Sequence, residues 1–460
     1  MKPVLIFLTL LTLSLSIYFT IQRFDRHGVS TMRIFDGTND QELSTKGKII
    51  FNEAETAVES ISPNGFLKYK NNDLKLKVEL KEGQIVYQLT EDGKNLNVNE
   101  ANGKRVLAET IKAILETGFD ARGRVERLYK KGGVPAVMAA AGTMQQDYTK
   151  AIYYDYLINT DTLSNADLLE VIKKTATIEA DFEKAKLLRS LSGQLNDSVL
   201  TVAYLDVVDG MDADYEKAGV LKHLIKKSPD SLAFQGILRT IAGMNADHEK
   251  TQVLNLMIKQ TPLDSARAVG ILAVVKGMGA DFEKNNLLKQ FSEPLKDSAT
   301  AQAYLQVVNS MDGDFEKVRA LENLLNQPIS AAIFHEMALI AGGLNGNHEK
   351  SELLKKMLDR SSEENQRISR VLMVVHDMDG EFEKVNLMKK IADRNSVTED
   401  DWVALISEAG RVNNDFEKSN LLTHIAGRMP RTENIQSAYT KAAKTINSEM
   451  EYGRALKASE

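Results

Sequence analysis

The sequence predicts a mainly α protein, an α-solenoid of about ten helical hairpins of 33–34 residues behind a small antiparallel β-meander. Three observations predict it. An Asp-Phe-Glu-Lys signature recurs at a fixed period. Apolar residues follow each copy at helical spacing. A separate stretch before the array alternates apolar and charged residues strictly.

The signature starts at Asp181, Asp281, Asp314 and Asp415, with close variants at Asp214, Asp247, Asn347 and Glu381 and worn copies at Asp147 and Glu451. Successive starts lie 33 or 34 residues apart, with a last step of 36. Self-similarity at that period marks stacked supersecondary units. Within a unit, apolar residues such as Leu187, Leu188 and Leu191 give a helical stripe after the signature. A second stripe, such as Tyr304, Leu305, Val307 and Val308, precedes it. Seventeen residues before the starts stand Ser164, Asp197, Asp230, Asp264, Asp297, Ser330, Thr398 and Asn434, all preferred N-cap types, with Glu364 the exception. Gly210, Gly243, Gly277 and Gly343 lie four residues before their starts and are expected to end the first helix in a left-handed conformation. Pro229, Pro262, Pro294 and Pro328 fall between hairpins, where proline breaks no helix.

The signature residues therefore have structural roles to fill. Asp181, Asp214, Asp247, Asp281, Asp314 and Asp415 are expected to cap the second helix of each hairpin. Glu183 and its equivalents favour the positive helix end, and Lys184 sits within reach of Asp181. Phe182, Tyr215, His248, Phe282, Phe315 and Phe416 are expected to plug the groove between hairpins. A longer period overlies the first. Tyr204–Asp212 aligns with Tyr304–Asp312, and His248 with His348, each 100 residues apart, as duplication of a three-repeat block would produce.

Residues 1–26 read as a targeting segment, either a cleaved signal peptide or a retained single-span anchor. Lys2 precedes an apolar run from Val4 to Ile21, and Ser14-Leu15-Ser16 offers a cleavage site. The β-meander occupies 30–100. Leu74, Leu76, Val78 and Leu80 alternate with charged residues, and Gln84–Leu89 returns after Glu82-Gly83. Earlier strands are expected at Met32–Phe35, Lys48–Phe51 and Gly65–Tyr69. Residues 103–133 form capping helices, Lys104–Glu116 and Asp120–Lys131, that cover the sheet and end at Gly132-Gly133. The solenoid runs over 134–460.

Composition narrows the function classes. The chain has 460 residues, 43% hydrophobic and 27% charged, so it is globular. A net charge of −6 argues against a nucleic-acid partner. With no cysteine there are no disulfides and no thiolate chemistry. No nucleophile elbow, phosphate loop, dinucleotide fingerprint or two-histidine zinc helix occurs. Hence no catalytic, cofactor-binding or metal-ligating residue is expected, and no cofactor. Acidic clusters at Asp209, Asp212, Asp214 and Glu216 and at Asp377, Asp379, Glu381 and Glu383 lack the spacing of a calcium loop.

The hairpins resemble tetratricopeptide and HEAT-type arrays in size, without the tetratricopeptide residue pattern. A segment similar to Ser60-Ile61-Ser62-Pro63-Asn64-Gly65-Phe66-Leu67, followed by Asp-Tyr or Asp-Phe helical repeats, resembles a group of bacterial exported proteins. Similar tails follow antirepressor-type membrane zinc peptidases, whose zinc motif is absent here. That resemblance covers residues 45–460 and implies an envelope location but transfers no catalytic residue.

The function expected is a non-enzymatic, envelope-located scaffold that binds a protein partner, or else an extracytoplasmic sensor domain. Membrane contact would come through the first segment if uncleaved. The expected partner surface comprises Tyr153, Tyr154 and Tyr156 in the first repeat and Arg239, Lys276, Gln306, Asn309 and His376 on first helices.

Overall fold

The computed structural model describes residues 20–26, 29–35, 40–144, 146–160, 163–227, 230–291, 297–327, 330–359 and 367–460. It bears out a helical-repeat protein with an antiparallel sheet at its start. The chain resolves into two compact units, Met1–Val207 and Val208–Glu460. The division falls inside the stretch expected to form one array.

The first unit opens with β1 (Thr20–Arg26), β2 (Val29–Phe35), β3 (Asp40–Lys46), β4 (Ile49–Phe51), β5 (Val58–Ile61), β6 (Phe66–Asn71), β7 (Leu74–Lys81), β8 (Gln84–Glu91) and β9 (Lys94–Leu96). Seven of these strands form one antiparallel sheet in the order β1-β2-β3-β6-β7-β8-β9, and β4 pairs with β5 in a second. The alternation works as expected, since Leu76 and Val78 are buried with Leu67, Tyr69 and Leu89 beside them. Glu82-Gly83 and Asp92-Gly93 turn the hairpins with φ of 50° and 80°, and 50° and 75°. Paired positive φ is the two-residue turn whose twist matches the strands. The sheet starts earlier than expected, because Thr20–Arg26 pairs along its length with Val29–Phe35. Most of the targeting segment, residues 1–19, lies outside the described residues. Among the described residues no helix is long and apolar enough to cross a membrane.

The helix α1 (Ala101–Glu116) covers the sheet. Its Val106, Leu107, Ile111, Ile114 and Leu115 share one core with Phe51, Val58, Leu67, Val78 and Leu89. Fully burying side chains of this size contributes about 1.5–3 kcal/mol each. The next helix, α2 (Ala121–Gly142), breaks at the expected glycines: Gly133 has φ of 60°, which a side chain would resist. Arg124, buried in α2, donates two bonds to Glu55 at 2.7 and 2.8 Å and ties this helix to the β4–β5 loop. The unit continues through α3 (Asp147–Ile158), α4 (Asn165–Thr175) and α5 (Asp181–Leu191), and α6 (Ser198–Asp209) runs across the division.

The second unit is built of hairpins. After α7 (Asp214–Ile225) come α8 (Ser231–Gly243) with α9 (Asp247–Gln260), and α10 (Ser265–Lys276) with α11 (Asp281–Leu288). Next are α12 (Ser298–Asn309) with α13 (Asp314–Leu325), and α14 (Ala331–Gly342) with α15 (Asn347–Asp359). The last three are α16 (Arg367–His376) with α17 (Glu381–Ala392), α18 (Glu399–Ala409) with α19 (Asp415–Ala426), and α20 (Glu433–Ala443) with α21 (Glu449–Ser459). Second helices pack in series from α7 to α21, and first helices in series from α8 to α20. The core between the two layers is made of the predicted stripes, such as Leu287, Leu288, Tyr304, Val308, Leu321 and Leu324. Trp402 is buried near the start of α18, as a packing residue should be.

The first-helix caps are where the sequence placed them. Ser164, Asp230, Asp264, Asp297, Ser330 and Thr398 each accept a backbone N–H from the first helical turn, and Asp197 accepts that of Leu200. Asn434 is a correction. It lies inside α20, whose N-cap is Thr432, because the last hairpin is set two residues earlier than its signature suggested. Glu364 and Pro229, Pro294 and Pro328 lie outside the described residues.

The glycines before the signatures also differ from expectation. Gly277 and Gly343 have φ of −78° and −79°, in the right-handed region, and Gly243 is the last residue of its helix. A buried residue closes the turn instead. Met244, Met278, Met311, Leu344 and Met378 each donate a backbone N–H three residues back, as Met278 does to Val275 at 3.1 Å. The apolar side chain anchors the turn, so a left-handed residue is unnecessary.

Candidate interaction surface

The signature Asp does not cap its own helix. In α11 the N-cap is Ala280, with no side-chain bond, and Asp281 is the first helical residue. Asp281 Oδ2 instead accepts the backbone N–H of Asp312 and of Gly313, both at 2.8 Å, in the turn of the following repeat. The pattern recurs. Asp214 accepts from Asn245 and Ala246, Asp247 from Gly279 and Ala280, Asp314 from Asn345 and Gly346, and Asp415 from Asn447 and Ser448. In the first unit Asp147 does the same for Glu179 and Ala180. Glu381, longer by a methylene, splits the task between its two oxygens for Asn413 and Asn414. The groups satisfied are the N–H of the N-cap residue of the next second helix, an orphan donor, and the N–H of the residue before it. Burial would raise the Asp281 carboxyl, but the N–H groups of Gly313 and Asp312 and the Lys284 ammonium hold it below the ordinary range.

Lys284 completes the clamp. It is 3% exposed. Its Nζ lies 3.4 Å from Asp281 Oδ1 and donates to Ser310 O at 2.9 Å, at the other side of the same turn. Lys418 repeats this with Thr445 O at 3.1 Å. In α17 Lys384 turns to its own first helix and donates to His376 O. Asp and Lys three residues apart thus hold the next turn by both its N–H and C=O groups. Lys184 and Lys250 make the same 3.4 Å approach to Asp181 and Asp247.

The aromatic beside each clamp is a second correction. Phe182 in the first unit is exposed, not plugged into a groove. In the second unit Tyr215, Phe282, Phe315, Phe382 and Phe416 are 53–72% exposed. His248 and His348 hold the same slot and are exposed too. The packing between hairpins is done by the leucines and methionines, which leaves this position free to face solvent. A sequence signal existed: a slot that accepts Phe, Tyr and His alike is a poor core position, because a buried imidazole needs partners. The last copy also shifts. The first helical residue is Glu449, so the slot holds Met450, 77% exposed, and Tyr452 falls elsewhere. The second helices pack side by side, so their second residues form a row along one edge of the unit.

Two of these rings already carry a cation from the chain. Arg319 Cζ lies 5.4 Å from the Phe315 ring centre, with Nη1 3.8 Å from Glu316. Arg454 Cζ lies 5.9 Å from the Phe416 ring centre, with Nη1 3.6 Å from Glu451. His248 Nδ1 lies 3.4 Å from Glu283 Oε1. The carboxylates one residue after the rings, Glu249, Glu283, Glu316, Glu349, Glu383 and Glu417, are half-buried along the row.

The expected partner residues divide. Tyr153 and Tyr154 are buried and form no contact patch. Burial pushes the Tyr153 phenol up to about 12 against the pull of Arg124. Tyr156 is half-buried and meets Tyr129 edge to face at 5.6 Å. Arg239, Lys276, Gln306, Asn309 and His376 are exposed on first helices, as expected. Lys276 Nζ reaches Gln306 Oε1 at 3.4 Å, and His376 Nδ1 lies 3.1 Å from Glu408 Oε2. Gln306 and Asn309 line an open groove of about 500 Å³ between α12 and α14, with Glu336 and Leu339 opposite. A further polar groove of about 710 Å³ lies between α18 and α20, lined by Glu399, Ser407, Arg411 and Lys441. Among the described residues no three His, Asp or Glu side chains are grouped to hold a metal ion.

No family model matches the chain. No curated protein matches it. Among solved structures, a chain described as "Computational Design of Self-Assembling Cyclic Protein Homooligomers" is 12% identical and aligns over 71% of this chain and 95% of its own, with a TM-score of 0.12. That superposition is too poor to carry an argument about fold or function.

Proposed function

We propose that the chain is a non-enzymatic binding scaffold of the cell envelope, working through a protein-interaction surface on its helical repeats. The observation that supports this is the row of exposed rings. Stability does not require an aromatic where the side chain is mostly in solvent, and the clamp beside it uses the acid before the ring and the Lys after it rather than the ring. Yet the second unit keeps a flat ring at this slot from Tyr215 to Phe416. Exposed aromatics at regular intervals are the anchors protein interfaces favour. The envelope assignment is supported by the apolar run after Lys2.

The test is a comparison of baits in crosslinked native membranes. The full chain and a Phe282→Ala, Phe315→Ala, Phe382→Ala variant are each tagged at the C-terminus and recovered, and the fractions are blotted. A protein held by the full chain in the envelope fraction and lost from the folded variant is the expected result. Equal recovery by both baits, or a chain found in the cytoplasmic fraction, would overturn the reading.

A further inference from the structure

We infer that the ring row is a receptor for an extended basic peptide, each ring that no arginine of the chain covers taking, with its neighbouring carboxylate, one Lys or Arg side chain. This rests on the scaffold reading and names its partner class. The chain itself provides the template. At Phe315 and at Phe416 an arginine of the protein lies against the ring and beside a carboxylate at once. A guanidinium gains from both, through the ring quadrupole and through charge-assisted pairing.

Phe282 and Phe382 present the same elements without an arginine. Phe282 is 60% exposed and Phe382 67% exposed, and neither bears a cation of the chain among the described residues. Glu283 and Glu383 follow them, half-buried, and Glu283 also faces His248 Nδ1 at 3.4 Å. The turns along this edge add Asp312, Asp377 and Asp379, all exposed. Of the lysines in this slot Lys217, Lys250, Lys284, Lys350 and Lys418 are buried, while Lys317 and Lys384 are half-buried and Lys384 is turned to His376 O. An edge with aromatic faces, surplus carboxylates and inward-turned lysines complements cations. A polyanion or an uncharged apolar helix would leave the carboxylates desolvated and unpaired.

Spacing selects the form of the peptide. Neighbouring packed helices are about 8–10 Å apart. An extended or polyproline-II chain advances about 3.1–3.3 Å per residue, so roughly three residues span one repeat. Cations at every third residue would therefore fall at every slot of the row, and Phe282 on α11 and Phe382 on α17, three repeats apart, would be met by cations roughly nine residues apart. A helical ligand, rising about 1.5 Å per residue, would need one at every sixth or seventh.

The test uses labelled peptides and the full chain, read by fluorescence anisotropy. One peptide has arginine at every third position among glycine and proline. A second has the same composition with its arginines grouped at one end. A third has glutamate in place of arginine. The spaced peptide is expected to bind most tightly, more weakly as salt rises, and the glutamate peptide not at all. Phe282→Ala and Phe382→Ala should each weaken it by roughly 2- to 30-fold, and Phe282→Trp should restore or tighten binding. Equal affinity for spaced and grouped peptides, or binding that survives loss of both rings, would overturn the proposal. So would row-dependent binding of an oligosaccharide or of a second copy of the chain. If the spaced peptide fails while the triple alanine bait still loses its native partner, the scaffold stands and only the partner class is wrong. If neither assay depends on the rings, both readings fall.

Discussion

Asp281 and Gly313 are joined across a repeat boundary: the Asp281 carboxylate accepts the Gly313 backbone N–H at 2.8 Å while also holding that of Asp312. One side chain thus satisfies two N–H groups of the next turn. Asp281→Ala would leave both without an acceptor in a site where Asp281 itself is 16% exposed. The expected loss is about 1–3 kcal/mol, seen as a lower urea midpoint. Asp281→Asn keeps an acceptor oxygen and should lose less. A smaller loss for alanine than for asparagine would mean the bonds contribute nothing net.

The same bonds set an acid limit. Asp281 and Glu381 titrate below their ordinary values of 3.8 and 4.5, because backbone N–H donors outweigh the burial that would raise them. A depressed acid stabilises the fold fully above its unfolded value and stops doing so as pH falls through its folded value. Stability should therefore hold above pH 4.5 and decline below it, Glu381 losing its share first and Asp281 beneath 3.8. Denaturant midpoints measured down this range should fall less steeply for Asp281→Asn than for the unaltered chain. Parallel slopes would remove Asp281 from the acid response.

The rings and the core leucines of one helix should behave oppositely. Phe282 is exposed, so Phe282→Ala is expected to change stability by no more than about 0.5 kcal/mol. Leu288, six residues on and fully buried, should cost about 2–5 kcal/mol when cut to alanine. Thermal or urea unfolding of the two variants decides it. A Phe282→Ala loss as large as that of Leu288→Ala would return the ring to a packing role.

The contrast also shows where the sequence was legible. Helix period, hairpin boundaries and first-helix caps follow from local rules, and Asp230, Asp264 and Thr398 sit at their predicted N-caps. The sheet followed from strict alternation around Leu76 and Val78. The roles of Asp281 and Phe282 depend on the neighbouring repeat, and periodicity within one hairpin cannot say which neighbour a side chain meets. A capping Asp and a cross-repeat Asp have the same spacing to the following Lys. The last copy misled for a different reason. Glu451-Tyr452 mimics the signature, while the bonds from Asp415 to Asn447 and Ser448 place the helix start two residues earlier. Tyr153 and Tyr154 failed as surface candidates because an aromatic cluster on a helix looks the same whether it faces a core or a partner.

Tyr304 offers a test of the interior. Its hydroxyl, fully buried, donates to Ala320 O at 2.9 Å and receives the Asn323 amide at 3.3 Å. Tyr439 repeats the first bond with Ala455 O, also sixteen residues on. Tyr204, its counterpart 100 residues earlier, donates backward to Leu188 O at 3.0 Å. In the later block Asn323 approaches the matching carbonyl, Leu288 O, at 3.4 Å, so the amide takes over a contact that tyrosine makes in the earlier one. Tyr304→Phe removes one donor and one acceptor, and should cost about 0.5–1.5 kcal/mol. Burial raises the Tyr304 phenol above its ordinary value of 10.0, against a smaller opposing pull from Asn323. A raised phenol stabilises the fold fully below pH 10 and ceases to do so as pH climbs through the folded value. Denaturant midpoints of the unaltered chain should thus fall above pH 10, and Tyr304→Phe should flatten that limb while lowering the plateau beneath it. An unchanged alkaline limb in the phenylalanine variant would show that Tyr304 already ionises in the folded chain as it does in water.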